Sequence, residues 1–294
     1  MDESITEVIR KRFSCRTYLD QPIKEDKQRK LTEFLAGNET GPLGTKARFA
    51  LVAATEHDRQ ALKGLGTYGF IRGATGFIVG AAPPGPGNLE DFGYLMERAI
   101  LFATGIGLGT CWLGGSFTKS SFARKISAAR EEVVPAVTAI GHIADGALDG
   151  DRIRRRAGAA ARYSSDQLFF DEIFGQPIAP ADAGVYAGPL EMVRWAPSAS
   201  NKQPWRIVRN KAGWHFYLAR TKGYGKGSLI FRLLRLADLQ RVDMGIAMCH
   251  FELAVRELGL AGRWQADAPA VRGLGENTEY TVSWIPADKE ETFN

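Results

Sequence analysis

Apolar residues recur along the chain with two periods, and these divide it into elements. Ile5, Val8 and Ile9 share one helical face, and Ser4 and Glu7 stand in the S-x-x-E spacing of a capping box, predicting a short helix over 4–13. Tyr18-Leu-Asp-Gln-Pro-Ile reads as a turn. Behind it, Leu31, Phe34 and Leu35 form the inner face of a charged helix at roughly 24–36. Residues 48–55 (RFALVAAT) and 75–82 (TGFIVGAA) are short apolar runs between breakers and read as buried strands. PPGPG at 83–87 is a rigid turn, a long helix follows from about Asp91 to Leu108, and a strand covers 136–143 (AVTAIGHI).

After Arg156 the order of signals starts again. Gln176-Pro177-Ile178 repeats Gln21-Pro22-Ile23 at an offset of 155, and Arg206-Ile207-Val208 opens a strand as Arg48-Phe49-Ala50 does. Asp243-Met244-Gly245 repeats Asp91-Phe92-Gly93, and Gly259-Leu-Ala-Gly-Arg-Trp264 repeats Gly107-Leu-Gly-Thr-Cys-Trp112, both at an offset of 152. A common order at nearly constant spacing implies an internal duplication. Two copies at this period predict a pseudo-symmetric dimer within one chain rather than a solenoid, with halves 1–160 and 161–294.

Composition narrows the class. With 45% hydrophobic and 24% charged residues, the 294-residue chain is globular rather than disordered. The net charge of +5 gathers partly at Arg10-Lys11-Arg12 and Arg152 to Arg156, runs that suit either an anion or a solvated surface. Cys15, Cys111 and Cys249 lie far apart, which predicts free thiols in a reducing, cytoplasmic setting and no disulfide or zinc framework. The N-terminus lacks an apolar signal core. Ala99 to Thr118 carries no charge over 20 residues, long enough for a membrane span. Its five glycines predict instead a buried helix running into a glycine loop, and no membrane association. His57, His142, His215 and His250 show no metal-ligand spacing, so no metal is expected.

Four segments carry candidate chemistry. Arg12-Phe13-Ser14-Cys15-Arg16 resembles the R-x-S-x-R opening of nitroreductase-family flavoproteins. Ala196-Pro197-Ser198-Ala199-Ser200-Asn201-Lys202-Gln203-Pro204-Trp205 resembles that family's A-P-S-x-x-N-x-Q-P-W segment at every fixed position. Gly107-Leu-Gly-Thr-Cys-Trp112-Leu113-Gly114-Gly115 is similar to the G-L-G-x-x-W-x-G-G that ends its central helix. Gly141-His-Ile with the arginine run resembles the family's closing G-Y-P strand and basic tail, His and Ile standing for Tyr and Pro. The resemblance spans most of the chain. It implies an α+β fold, a nitroreductase-like three-layer α/β/α sandwich whose two tandem half-repeats form an intramolecular pseudo-dimer.

The residue chemistry agrees with the FMN that the resemblance implies. Arginines suit a phosphate because the guanidinium fork makes paired charge-assisted bonds. At i,i+4 spacing Arg12 and Arg16 are expected to share a helical face, with the Ser14 hydroxyl nearby. Asn201 and Gln203 offer the donors and acceptors that a ribityl chain and a pyrimidine edge require. Gly114 and Gly115 allow the backbone close to a flat ring. Phe13, Trp112, Leu113, Pro197, Ser198 and Ala199 complete the implied cofactor-binding set. In the family, basic residues after the closing strand reach the phosphate, a role that falls on Arg154 or Arg155. No side chain is singled out as a catalytic acid or base, because the flavin carries the chemistry.

The two copies are not equivalent. Arg12, Ser14 and Arg16 map at offset 155 to Gln167, Phe169 and Asp171, and Gly114-Gly115 map at 152 to Ala266-Asp267. Pro197-Ser198 and Asn201 map at 158 to Glu39-Thr40 and Leu43. One composite site and one FMN per chain are therefore expected, in a chain that can work as a monomer. The implied activity takes a hydride from NADH or NADPH and passes it to a small electrophile, a nitroaromatic or quinone, by a ping-pong mechanism. A non-catalytic flavin store or redox sensor is the alternative, and flavin fragmentation or dehalogenation fits the same fold. Nucleic-acid binding has no motif of its own. Residues 57–73 and 221–242, with Tyr68, Phe70, Tyr224 and Phe231, are candidates to cover the ring.

Overall fold

The computed structural model describes residues 3–55, 59–67, 69–115, 117–147, 158, 161–179, 181–224 and 237–287. The apolar run Gly76–Ala81 is buried at every position and forms β2, between β1 (Arg48–Ala53) and β4 (Val137–Gly141). β3 (Gly109–Leu113) completes an antiparallel sheet of order β1-β2-β4-β3. The second sheet has the order β5-β6-β7-β9-β8. Its strands are β5 (Phe169–Asp171), β6 (Trp205–Asn210), β7 (Gly213–Ala219), β8 (Gly262–Gln265) and β9 (Thr278–Pro286). β6-β7-β9-β8 repeats the antiparallel order of the first sheet, and β5 is an addition that joins β6 in parallel.

The helices are α1 (Ile5–Lys11), α2 (Glu25–Ala36), α3 (Asn88–Gly105) and α4 (Lys119–Lys125), then α5 (Ser165–Leu168), α6 (Ala187–Trp195) and α7 (Leu239–Glu257). α3 and α7 pack along each other, α3 touching the first sheet and α7 the second. That position explains their burial: 14 of 18 residues in α3 and 14 of 19 in α7 are buried, where a surface helix would hide only a stripe. The central core joins Phe92, Met96 and Ile100 of α3 to Met248 and Phe251 of α7 and to Trp205, Phe216 and Trp284 of the second sheet. Each fully buried side chain of this size contributes about 1.5–3 kcal/mol. The other face of the first sheet packs Phe77, Val79, Cys111 and Leu113 under Phe122 of α4. Phe170, Val208 and Tyr217 do the same on the second.

Most predicted elements form within a few residues of their expected limits. The Ser4–Glu7 capping box does not. Ser4 Oγ bonds to Thr6 Oγ1 at 2.7 Å, and the Ile5 N–H donates to the Glu257 carboxylate of α7, so a tertiary partner replaces the local cap. A capping box forms instead at Ser164 and Gln167, at the start of α5. The uncharged stretch 99–118 divides into the end of α3, a left-handed turn at Gly107 (φ 74°), β3 and a loop. No helix among the described residues is long and apolar enough to cross a membrane.

Candidate functional site

Helix α1 ends at Lys11, and Arg12 is already extended (φ −61°, ψ 127°). The expected helical face shared by Arg12 and Arg16 is therefore not formed. β3 is an edge strand of its sheet, and the chain after α1 pairs with it: Ser14 bridges Thr110 in parallel, and the Cys15 N–H donates to the Thr110 carbonyl at 2.8 Å. On the far side, the Arg72 N–H donates to the Arg16 carbonyl and the Tyr18 N–H to the Arg72 carbonyl, each at 2.9 Å. Alternation now sorts the side chains. Phe13 and Cys15 enter the core beneath α4, whereas Arg12 turns to Glu97 of α3, and Ser14 and Arg16 are partly buried. Tyr18 anchors the strand, its hydroxyl donating to the carbonyls of Cys15 (2.7 Å) and Ala139 (3.1 Å), and burial pushes that hydroxyl well above its usual titration range.

Trp112 and Leu113 separate in the same way along β3. Leu113 is buried in the core under α4, whereas Trp112 turns toward α3 and donates Nε1–H to Glu97 Oε2 at 2.7 Å. Glu97 also lies 3.7 Å from Arg12 Nε and 2.9 Å from His250 Nε2 of α7. Its side chain is 0% exposed and that of Arg12 is 6% exposed.

β3 runs out into Gly114, which is partly buried, and Gly115, which is exposed. A β-carbon on Gly114 would fall 2.6 Å from Leu239 Cδ1, so the first residue of α7 closes on the glycine that follows β3. One turn along α7, Asp243 Oδ1 accepts the Ala199 N–H at 2.9 Å. Gly114 and the 197–203 loop thus both contact the first two turns of one helix. Arg220 holds that end, donating from Nη1 to both carboxylate oxygens of Asp238 at 2.8 Å.

The loop has a fixed, strained path. Ser200, Asn201 and Gln203 all take left-handed φ (52°, 53° and 46°), a conformation that costs about 1–3 kcal/mol per residue unless held. Ser198 Oγ accepts the Gln203 N–H at 2.8 Å. Asn201 Nδ2 donates to the carbonyls of Gly158 (2.7 Å) and Ala161 (3.0 Å). Gln203, 3% exposed, accepts the Tyr163 N–H at 2.9 Å and donates to the Asn201 carbonyl at 3.3 Å. The two amides expected to face a ligand are thus bonded to the segment 158–163 and to the loop itself. Pro197 is partly buried at the start of the loop.

Arg154 and Arg155 lie outside the described residues, as do Tyr68, Phe231 and His57. Of the proposed cover, Phe70 is 40% exposed, and the Tyr224 hydroxyl is 3.4 Å from Ser200 Oγ. At the positions 155 residues after Arg12, Ser14 and Arg16, Gln167 serves the α5 capping box, Phe169 is 2% exposed in β5, and Asp171 pairs with Arg209 at 2.8 Å. No group of metal-binding side chains occurs among the described residues.

The family model described as "Putative TM nitroreductase" matches residues 4–255. The chain belongs to this nitroreductase family. The fold is similar to that of a "putative nitroreductase" from Thermotoga maritima MSB8, at TM-score 0.60 and 19% identity, covering 97% of this chain and 94% of that one. A nitroreductase with bound FMN from Bacteroides fragilis NCTC 9343 aligns at TM-score 0.39 and 21% identity, covering 51% of this chain and 94% of that one. No curated protein matches the sequence. In this nitroreductase-family chain, motif reading had not pointed to Glu97, His250, Leu239 or Asp243. Glu97 and His250 carried a signal all the same, as ionisable residues within the most apolar stretches of two central helices.

Proposed function

We propose that residues 1–160 and 161–294 are two nitroreductase-like halves forming an intramolecular pseudo-dimer. In this reading one FMN binds where they meet, and the chain is an NAD(P)H-dependent oxidoreductase acting on a small electrophile. The observation that carries it is the convergence at the start of α7: Gly114 from the first half packs on Leu239, and Asp243 holds Ala199 of the second-half loop. The repeated strand order and the family match support the same reading.

The residues present fit the cofactor. Asp243 Oδ2 is buried without a hydrogen-bond partner beside the 197–203 loop, which suits a polyol hydroxyl. Asp91, its counterpart, spends both oxygens on the N–H groups of Leu43 and Thr45. Arg12, Ser14 and Arg16, with Arg154 or Arg155, would hold the phosphate. Gly114 and Gly115, with Trp112 and Leu113 behind them, would let backbone approach the ring, and Pro197, Ser198, Ala199, Asn201 and Gln203 would frame its polar edge. Bound FMN supplies the hydride chemistry, accepting from NADH or NADPH and giving to a nitroaromatic or quinone in a ping-pong cycle. The chain's own part is to position, to exclude water and to set the local charge.

The test is to incubate purified protein with FMN, desalt it, and count flavin per chain by absorbance before adding NADH or NADPH without oxygen. One flavin per chain, bleached by the reductant, is expected. None, or two, overturns the composite site. One flavin that neither reductant bleaches makes the chain a flavin store.

A further inference from the structure

Glu97 is fully buried at the contact of the two central helices, and His250 is its partner from the second half. His250 Nδ1 lies 2.9 Å from the Met192 carbonyl oxygen, and Nε2 lies 2.9 Å from Glu97 Oε1. A carbonyl has no proton to give, so Nδ1 carries one. The bond between Nε2 and Oε1 requires a second, held by one atom or the other. Either way, Glu97 and His250 together are neutral. With Arg12 Nε 3.7 Å from the same Oε1, the three side chains carry one positive charge, where Arg12 and an unneutralised Glu97 would carry none.

We propose that His250 is a specificity-determining residue for phosphorylated flavin. It neutralises Glu97, so that Arg12 directs its charge to the ligand's phosphate instead of to a buried carboxylate. The proposal rests on the FMN reading above and adds a role for α7 on the phosphate side of the site. The duplication does not reveal this role, because the residue 152 positions after Glu97 is Cys249. Glu97 has a positioning part as well: Oε2 fixes Trp112, which leads into the glycine pair, and Oε1 lies within ion-pair distance of Arg12. In a buried setting, where charges are weakly screened, removing one unit of negative charge beside Arg12 strengthens its attraction for a dianion.

The experiment compares dissociation constants for FMN and riboflavin, which differ only in the phosphate, by quenching of flavin fluorescence. The proteins are the unmodified chain, His250→Gln, Glu97→Gln and the double variant. His250→Gln is expected to weaken FMN by about tenfold or more, the scale of one lost charge-assisted bond, while riboflavin affinity is unchanged. Adding Glu97→Gln to it restores the preference for FMN, because the competing anion is gone. Equal weakening of both flavins in His250→Gln, or an unchanged FMN-to-riboflavin ratio, overturns the proposal and leaves the FMN reading standing. An unmodified chain that binds neither flavin overturns both. Should His250→Gln not fold, 15N NMR of the unmodified chain together with the infrared bands of the Glu97 carboxyl decides: a proton held by His250 Nε2 or by Glu97 supports the proposal, and a bare Nε2 lone pair facing an ionised Glu97 overturns it.

Discussion

Gly245 of α7 lies so close to the carbonyl oxygen of Glu90 in α3 that a β-carbon on it would overlap that oxygen. Gly93 meets the Val242 carbonyl in the same way. The pairs 93/245 and 90/242 share the 152-residue offset, so the contact is exchanged between the helices as it is across a two-fold axis. On an exposed helix, Gly→Ala gains about 1 kcal/mol. Here Gly245→Ala is expected to lose about 1–3 kcal/mol by overpacking, read as a lower midpoint of urea unfolding. A raised midpoint would mean that α3 and α7 do not pack in this register.

Asp243 sets a pH dependence of one sign. Burial raises its carboxyl well above the usual range, with only the Ala199 N–H opposing. The folded chain therefore binds this proton more tightly than the unfolded chain, whose aspartates titrate near about 3.9. The resulting stability is complete below that value and is lost as pH rises through the raised folded value. Urea midpoints of the unmodified chain should fall relative to Asp243→Asn as pH climbs through this window. Parallel curves for the two proteins would refute the assignment.

His215 acts with the opposite sign. Asn210 Oδ1 already accepts the Ala212 N–H and takes the ring proton from Nε2 at 2.7 Å, which leaves Nδ1 to accept from the Ser283 hydroxyl at 2.7 Å. Burial lowers the ring's titration from 6.5 to about 4. Below 6.5 the unfolded chain takes up the proton and the folded chain does not, so stability falls as pH drops toward about 4. His215→Gln should flatten that acid limb of the stability curve, with no change above pH about 7. An acid limb equally steep in the variant would show that other groups produce it.

These contrasts mark what the chain discloses locally. β2 was legible because all six of its residues are buried. The helical face expected for Arg12 and Arg16 does not form because the conformation there is decided by the open edge of β3, which lies far along the chain. β5 was invisible for the same reason, its three residues being a strand only beside β6. Glu97 and His250 are ionisable residues in apolar helices, but their pairing joins residues 153 positions apart and no spacing encodes it. The destinations of the Asn201 and Gln203 amides likewise depend on where 158–163 returns.

That return supplies the last prediction. Asn201 Nδ2 ties the carbonyls of Gly158 and Ala161, and Arg162 reaches back to Asn201 Oδ1 at 3.4 Å and stacks 5.9 Å from the Trp195 ring centre. Asn201→Ala removes both bonds to Gly158 and Ala161, each worth about 1 kcal/mol, so local opening there should increase by about thirtyfold. Because cleavage of a transiently opened segment follows its open population, tryptic cutting after Arg162 should accelerate by a similar factor while the global unfolding midpoint moves little. FMN affinity measured on the same variant separates the two uses of Asn201. Faster cleavage with intact affinity makes the residue a staple between the halves. Weakened FMN with unchanged cleavage means that the amide leaves the segment for the ligand. Both effects together mean that the staple shapes the edge on which the flavin rests.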